Sequence, residues 1–139
     1  MKLVKSTRDL ARIQRLWGAV RRIADERSQI HSLPDGDIEV GRPMPDAYFN
    51  LPVVLAVSAL EETLEAARNE NVFRCHGARL GMLMEASKAR IPWRDFDAID
   101  RIREKRNDIA HEGILFSRSD CLQMIADIEA ELTGWGVLA

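Results

Sequence analysis

The sequence predicts an all-α fold, a single-domain antiparallel bundle of four to five helices spanning residues 1–139. Three observations predict it. Apolar residues recur at i, i+3 and i+4 along most of the chain. Cap and stop residues bracket these stretches. Most connections between them are short, which makes neighbouring helices antiparallel.

The first helix starts at Ser6 or Thr7, both good N-caps, and carries Leu10, Ile13, Leu16, Trp17, Val20 and Ile23 on one face to about His31. The stretch SLPDGDIEVGRPMPDAYFN follows. Its prolines, glycines and Asp35-Gly36 turn signal predict a loop, and its length suits a functional segment. A second helix runs from about Pro52, near its N1 position, to Asn69; it opens apolar and turns acidic at Glu61, Glu62 and Glu65. A third covers roughly Gly77 to Ala89, with Pro92 closing the segment. The fourth runs from about Trp93 to Glu112, with Gly113 placed as its C′ residue. Ser117 or Ser119 caps a fifth, which puts Cys121, Ile125, Ile128 and Leu132 on one face and stops before Gly134.

Composition narrows the function classes. A net charge of −2 argues against a polycation that coats nucleic acid with its whole surface. Residues 1–31 are nevertheless locally basic, with Arg8, Arg12, Arg15, Arg21, Arg22 and Arg27. Cys75 and Cys121 lie far apart and form no CxxC pair, so a reducing compartment is expected. The N-terminus lacks an apolar run of signal-peptide length, and the longest apolar stretch, Leu51–Val57, is too short to span a bilayer. These readings predict a cytoplasmic protein with no membrane partner.

The most informative stretch is RIREKRNDIAHEG, Arg101 to Gly113. With about 100° per residue and Ile102 as zero, Ile109 falls near −20°, Ile99 near 60°, Ala110 near 80° and Phe96 near 120°. That arc is the expected buried face. Arg106 falls inside it, at about 40°; Asn107 and His111 fall at its polar edge, at about 140° and 180°. An arginine in an apolar arc keeps its proton and needs a partner. The structural reading is an ion pair with Glu61, Glu62 or Glu65.

The chemical reading starts from His111, in the last turn of its helix, where carbonyl dipoles favour an imidazolium. Such a histidine can serve as general acid or base. Arg106 supplies a fixed cation suited to phosphate, and Asn107, one turn from His111, can hydrogen-bond a substrate oxygen. Arginine, amide and imidazole form a minimal kit for cleaving RNA with its own 2′-hydroxyl as nucleophile.

RNDIAH, Arg106–His111, resembles the R-x4-6-H motif of the HEPN superfamily, including the polar residue after the arginine. Helix order is similar too, with the motif late in the penultimate helix, and the resemblance extends to the RiboL-PSP-type HEPN proteins. It implies a metal-independent, dimeric endoribonuclease, often the toxin of a toxin–antitoxin or phage-defence system. Arg106 and His111 would then be catalytic and Asn107 supporting. The family also contains non-catalytic adaptors that bind a nucleotidyltransferase-type or other partner. The expected partners are therefore an RNA substrate, a second copy of the chain, and an antitoxin or nucleotidyltransferase-type protein. Arg106 and His111 point about 140° apart on a straight helix, which predicts either a distortion near Ala110 or a site completed across a homodimer around Arg103, Asn107 and His111.

Other features carry less. Cys75-His76 lacks a second ligand pair for zinc, and Asp35-Gly36-Asp37 lacks the remainder of a calcium loop. No Gly-rich phosphate cradle is present, so no cofactor is expected. Gly77–Gly81 reads as close helix packing, and Trp17, Trp93 and Trp135 as core or interface anchors. The arginines of the first helix read as a solvated face or as RNA-backbone contacts.

Overall fold

The computed structural model describes residues 1–26, 28–33 and 36–139. Among the described residues five helices build an all-α bundle: α1 Thr7–Ala24, α2 Asn50–Asn69, α3 Leu80–Ser87, α4 Phe96–Glu112 and α5 Arg118–Gly134. A short 3-10 turn, Asp46–Phe49, leads into α2.

The caps act as their residue types dictate. The Ser6 side chain accepts from the Asp9 N–H at 3.3 Å, Asp95 from Ala98 at 3.1 Å and Ser117 from Asp120 at 3.2 Å, each satisfying a donor that the first helical turn leaves free. α5 runs one residue further than expected, through Gly134. α3 is shorter than expected at its start. The Arg68 guanidinium donates to the Gly77 carbonyl at 2.7 Å, which holds that segment in an irregular path ahead of Leu80.

The first helix also ends earlier than its periodicity suggests, at Ala24 instead of about His31. The residues beyond it form part of a two-stranded antiparallel ribbon, β1 Ser28–Leu33 and β2 Gly36–Pro43. Pairs such as Ile30 with Glu39 and His31 with Ile38 set its register, with an irregularity at Ser28/Gln29. The stretch expected to be a loop is thus largely strand. Ladder partners many residues away supply the hydrogen bonds that a continued helix would have made, and periodicity cannot see them. Arg27 and Asp35 of the turn signal lie outside the described residues.

α2 is the hub, packing against α1, α3, α4 and α5. Its buried Ala56, Ala59, Ala66 and Ala67 let neighbours approach closely, while Val53, Val57, Leu60 and Leu64 fill the space between. Opposite them lie Ile13, Trp17 and Val20 of α1 and all four expected residues of α5, Cys121, Ile125, Ile128 and Leu132. Trp135 and Trp93 meet edge to face at 4.8 Å, and the Trp135 indole donates to the Pro92 carbonyl at 3.2 Å. Among the described residues no helix is long and apolar enough to cross a membrane.

Candidate functional site

α4 carries the motif, and the two ends of this helix are held differently. At its start the buried Glu131 of α5 accepts from the Arg94 and Asp95 N–H groups at 3.0 and 2.7 Å. Ile99 and Ile102 then bury completely against the core. Past Ile102 the helix leaves the core. Ile109 is half-buried, and Ala110, expected within the buried arc, is exposed, because the last turn projects beyond the elements that cover the first half. Gly113 closes the helix in the left-handed conformation, φ 66°, as its C′ placement predicts. Its N–H and that of Ile114 both turn back to the Asp108 carbonyl.

A groove of about 850 Å³ opens along this side of the bundle. Arg106, Asn107 and His111 line one wall together with Asp100 and Arg103. Arg79, Gly81, Met82 and Glu85, at and after the start of α3, form the second wall, and Glu61 comes from α2. The three residues singled out by the motif therefore share one cavity within one chain. No break in the helix brings them there, since α4 stays α-helical through Glu112. The distortion near Ala110, one of the two alternatives the divergent directions predicted, is absent. A groove of this width accommodates side chains that diverge on a regular helix.

The expected structural ion pair of Arg106 does not form. Among the described residues Arg106 has no carboxylate partner, and its Nε is buried without an acceptor. Glu62 pairs with Arg12 of α1 instead, at 3.1 Å. Arg106 is half-buried, less enclosed than its position on the helical wheel implies, because the groove opens beside it. Its charge still reaches Glu61. Burial pushes the Glu61 carboxyl above the ordinary glutamate range; Arg106 opposes that rise, and Glu65 and Glu62 add to it. The neighbouring Arg103 is engaged, with Nε 2.9 Å from Asp100 Oδ1. Gly81 faces its guanidinium, where a Cβ would lie 3.5 Å away.

The polar heads of Glu61, Arg106, Asn107 and His111 thus make no side-chain hydrogen bond or ion pair among the described residues. Uncommitted polar groups in one concave site are what a polar ligand requires. Three of the four were legible in the sequence as chemistry. Glu61 was legible only as a structural partner, because its place in the groove depends on how α2 packs against α4. Asn50 gave no such signal. Buried at the start of α2, it accepts from the Phe116 N–H at 2.9 Å and donates to the Phe116 carbonyl at 3.0 Å, fixing the chain just after the motif. Leu51 and Leu115, chain neighbours of that bonded pair, are exposed, as is Ile114.

Of the remaining candidates, the tryptophans are structural. Trp17 and Trp135 are buried and Trp93 packs between Phe96 and Trp135, so all three belong to the core. Cys75 contacts the Gly77 carbonyl, and no cluster of three or more potential metal ligands occurs among the described residues. On α1, Arg12 and Arg21 form ion pairs, while Arg8, Arg15 and Arg22 are exposed. No protein-family model, curated protein or solved structure matches the chain.

Proposed function

We propose that the chain is a HEPN-like, metal-independent endoribonuclease that cleaves RNA by attack of its own 2′-hydroxyl, leaving a 2′,3′-cyclic phosphate and a 5′-hydroxyl. The observation that carries this reading is the shared groove lined by the uncommitted groups of Arg106, Asn107 and His111. Arg106 holds the phosphate and stabilises charge that develops on it, His111 moves a proton, and Asn107 orients a substrate oxygen. The groove is far larger than one phosphate and leaves room for neighbouring nucleotides. The exposed trio Leu51, Ile114 and Leu115, close to the motif's end of α4, suits burial against a second copy of the chain. Such a homodimer would set two grooves side by side. The toxin role in a toxin–antitoxin or phage-defence system belongs to the same reading and rests on the HEPN resemblance alone.

The same exposed trio also favours a second reading, a non-catalytic HEPN adaptor that docks a protein partner there. An RNA cleavage assay with and without EDTA, run beside His111→Ala, separates the two. The nuclease retains cleavage in chelator and loses it in the variant. Cleavage that needs an added divalent ion, or that survives in His111→Ala, sinks the mechanism.

A further inference from the structure

Cleavage by the 2′-hydroxyl needs two proton transfers. One group must take the proton from the attacking hydroxyl, and another must give a proton to the departing 5′-oxygen. The motif supplies one group that can do either, His111. Arginine keeps its proton and asparagine has none to exchange at this pH. The second group must come from elsewhere in the groove or from another chain.

Three carboxylates line the groove. Asp100 is held by Arg103 at 2.9 Å, and Glu85 stands exposed on α3. Glu61 alone is half-buried, free of any hydrogen bond or ion pair among the described residues, and close enough to Arg106 to feel its charge. Resting on the nuclease reading, we infer that Glu61 is the second proton-transfer residue, the base that works opposite His111. Its carboxylate takes the 2′-hydroxyl proton as the 2′-oxygen bonds to phosphorus. The bond from phosphorus to the 5′-oxygen breaks, and that oxygen takes a proton from the His111 imidazolium. Arg106 lies between the two roles, balancing the charge of Glu61 and of the phosphate.

The surroundings fit a carboxylate that is a stronger base than an ordinary glutamate. Burial and the like charges of Glu65 and Glu62 keep the carboxyl above its ordinary range, although Arg12 of α1 draws off part of the Glu62 charge. On the facing elements Arg106 acts in the other direction. Arg103 is already neutralised by Asp100, and Arg79 and Glu85 bring opposite charges to the far wall. A carboxylic acid with a raised value is a stronger base once ionised, and it ionises over a higher pH window.

The test is the pH–rate profile of the full chain on an oligoribonucleotide, for wild type, Glu61→Gln, Glu61→Asp and His111→Ala. Wild type should give a bell. Its acid limb, where the rate falls as Glu61 is protonated, should vanish in Glu61→Gln, with a maximum lowered about 100-fold or more. Glu61→Asp should keep the acid limb. A uridine 3′-phosphate ester of p-nitrophenol, whose leaving group needs no acid, should restore His111→Ala and leave Glu61→Gln slow. A wild-type bell retained in Glu61→Gln overturns the assignment, and so does equal rescue of both variants by the activated ester. If instead wild type itself is inert, or His111→Ala stays active, the nuclease reading fails and Glu61 loses its role with it.

Discussion

The two ends of α4 are built on opposite principles. At the start, the buried polar side chains near the helix, Glu131 and Ser87, both have partners. Glu131, 1% exposed, spends both carboxylate oxygens on backbone N–H groups, and Asp95 caps the first turn. Trp93 and Trp135 shield that junction. At the other end Arg106 leaves a buried Nε unpaired, and Asn107 and His111 bond to nothing among the described residues. The difference teaches where each function of the helix lies. Satisfied groups in a dry setting hold a fold, whereas groups left open beside a groove are available to a ligand at some cost in stability.

The largest expected effect is at the closed end. Glu131→Ala removes the acceptors of the Arg94 and Asp95 N–H groups and opens a cavity where a fully buried side chain stood, so it should destabilise the chain by about 3 kcal/mol. Chemical denaturation measures this, and a loss below about 1 kcal/mol would mean that water or a shifted neighbour replaces the carboxylate.

Arg106→Ala comes next and sharpens the contrast. Had Arg106 formed a buried ion pair, its removal would cost about 3–5 kcal/mol. Without one, the expected loss is about 1 kcal/mol, mostly packing of its aliphatic stem. His111→Ala, at an exposed position, should stay within about 0.5 kcal/mol. Thermal melts of the three variants should therefore fall in the order Glu131, Arg106, His111. A His111 variant as unstable as the Glu131 variant would erase the distinction between the two ends.

The effect at Glu61 carries a sign. The fold raises the Glu61 carboxyl above its usual value, so the protonated form is the one it favours. The stability this gives is fully present below the ordinary glutamate range and is lost as pH rises through the raised value. Glu61→Gln should thus be slightly more stable than wild type at neutral pH, by less than about 1 kcal/mol once solvent screening is allowed for. The gain should fade on acidification. Melts between pH 4 and pH 8 check it, and a gain that grows toward low pH would mean Glu61 is held ionised.

The sequence by itself determined what depends on neighbours within one or two turns. It narrowed the caps to Ser6 or Thr7 and to Ser117 or Ser119, and it placed the left-handed stop at Gly113, the apolar faces of α1 and α5, and the motif on the penultimate helix. These follow from hydrogen bonds and side-chain spacings that span three to four residues. Only the tertiary structure decided the rest. It ended α1 at Ala24 in favour of a ribbon, took Glu131 out of water to cap α4 from 36 residues away, and released Arg106 from the ion pair its wheel position suggested. It also turned Glu61 from a structural partner into a wall of the groove. In each case the deciding contact joins residues distant in the chain. Whether a polar group is buried, paired or left open depends on which distant element covers it, and local periodicity carries no record of that.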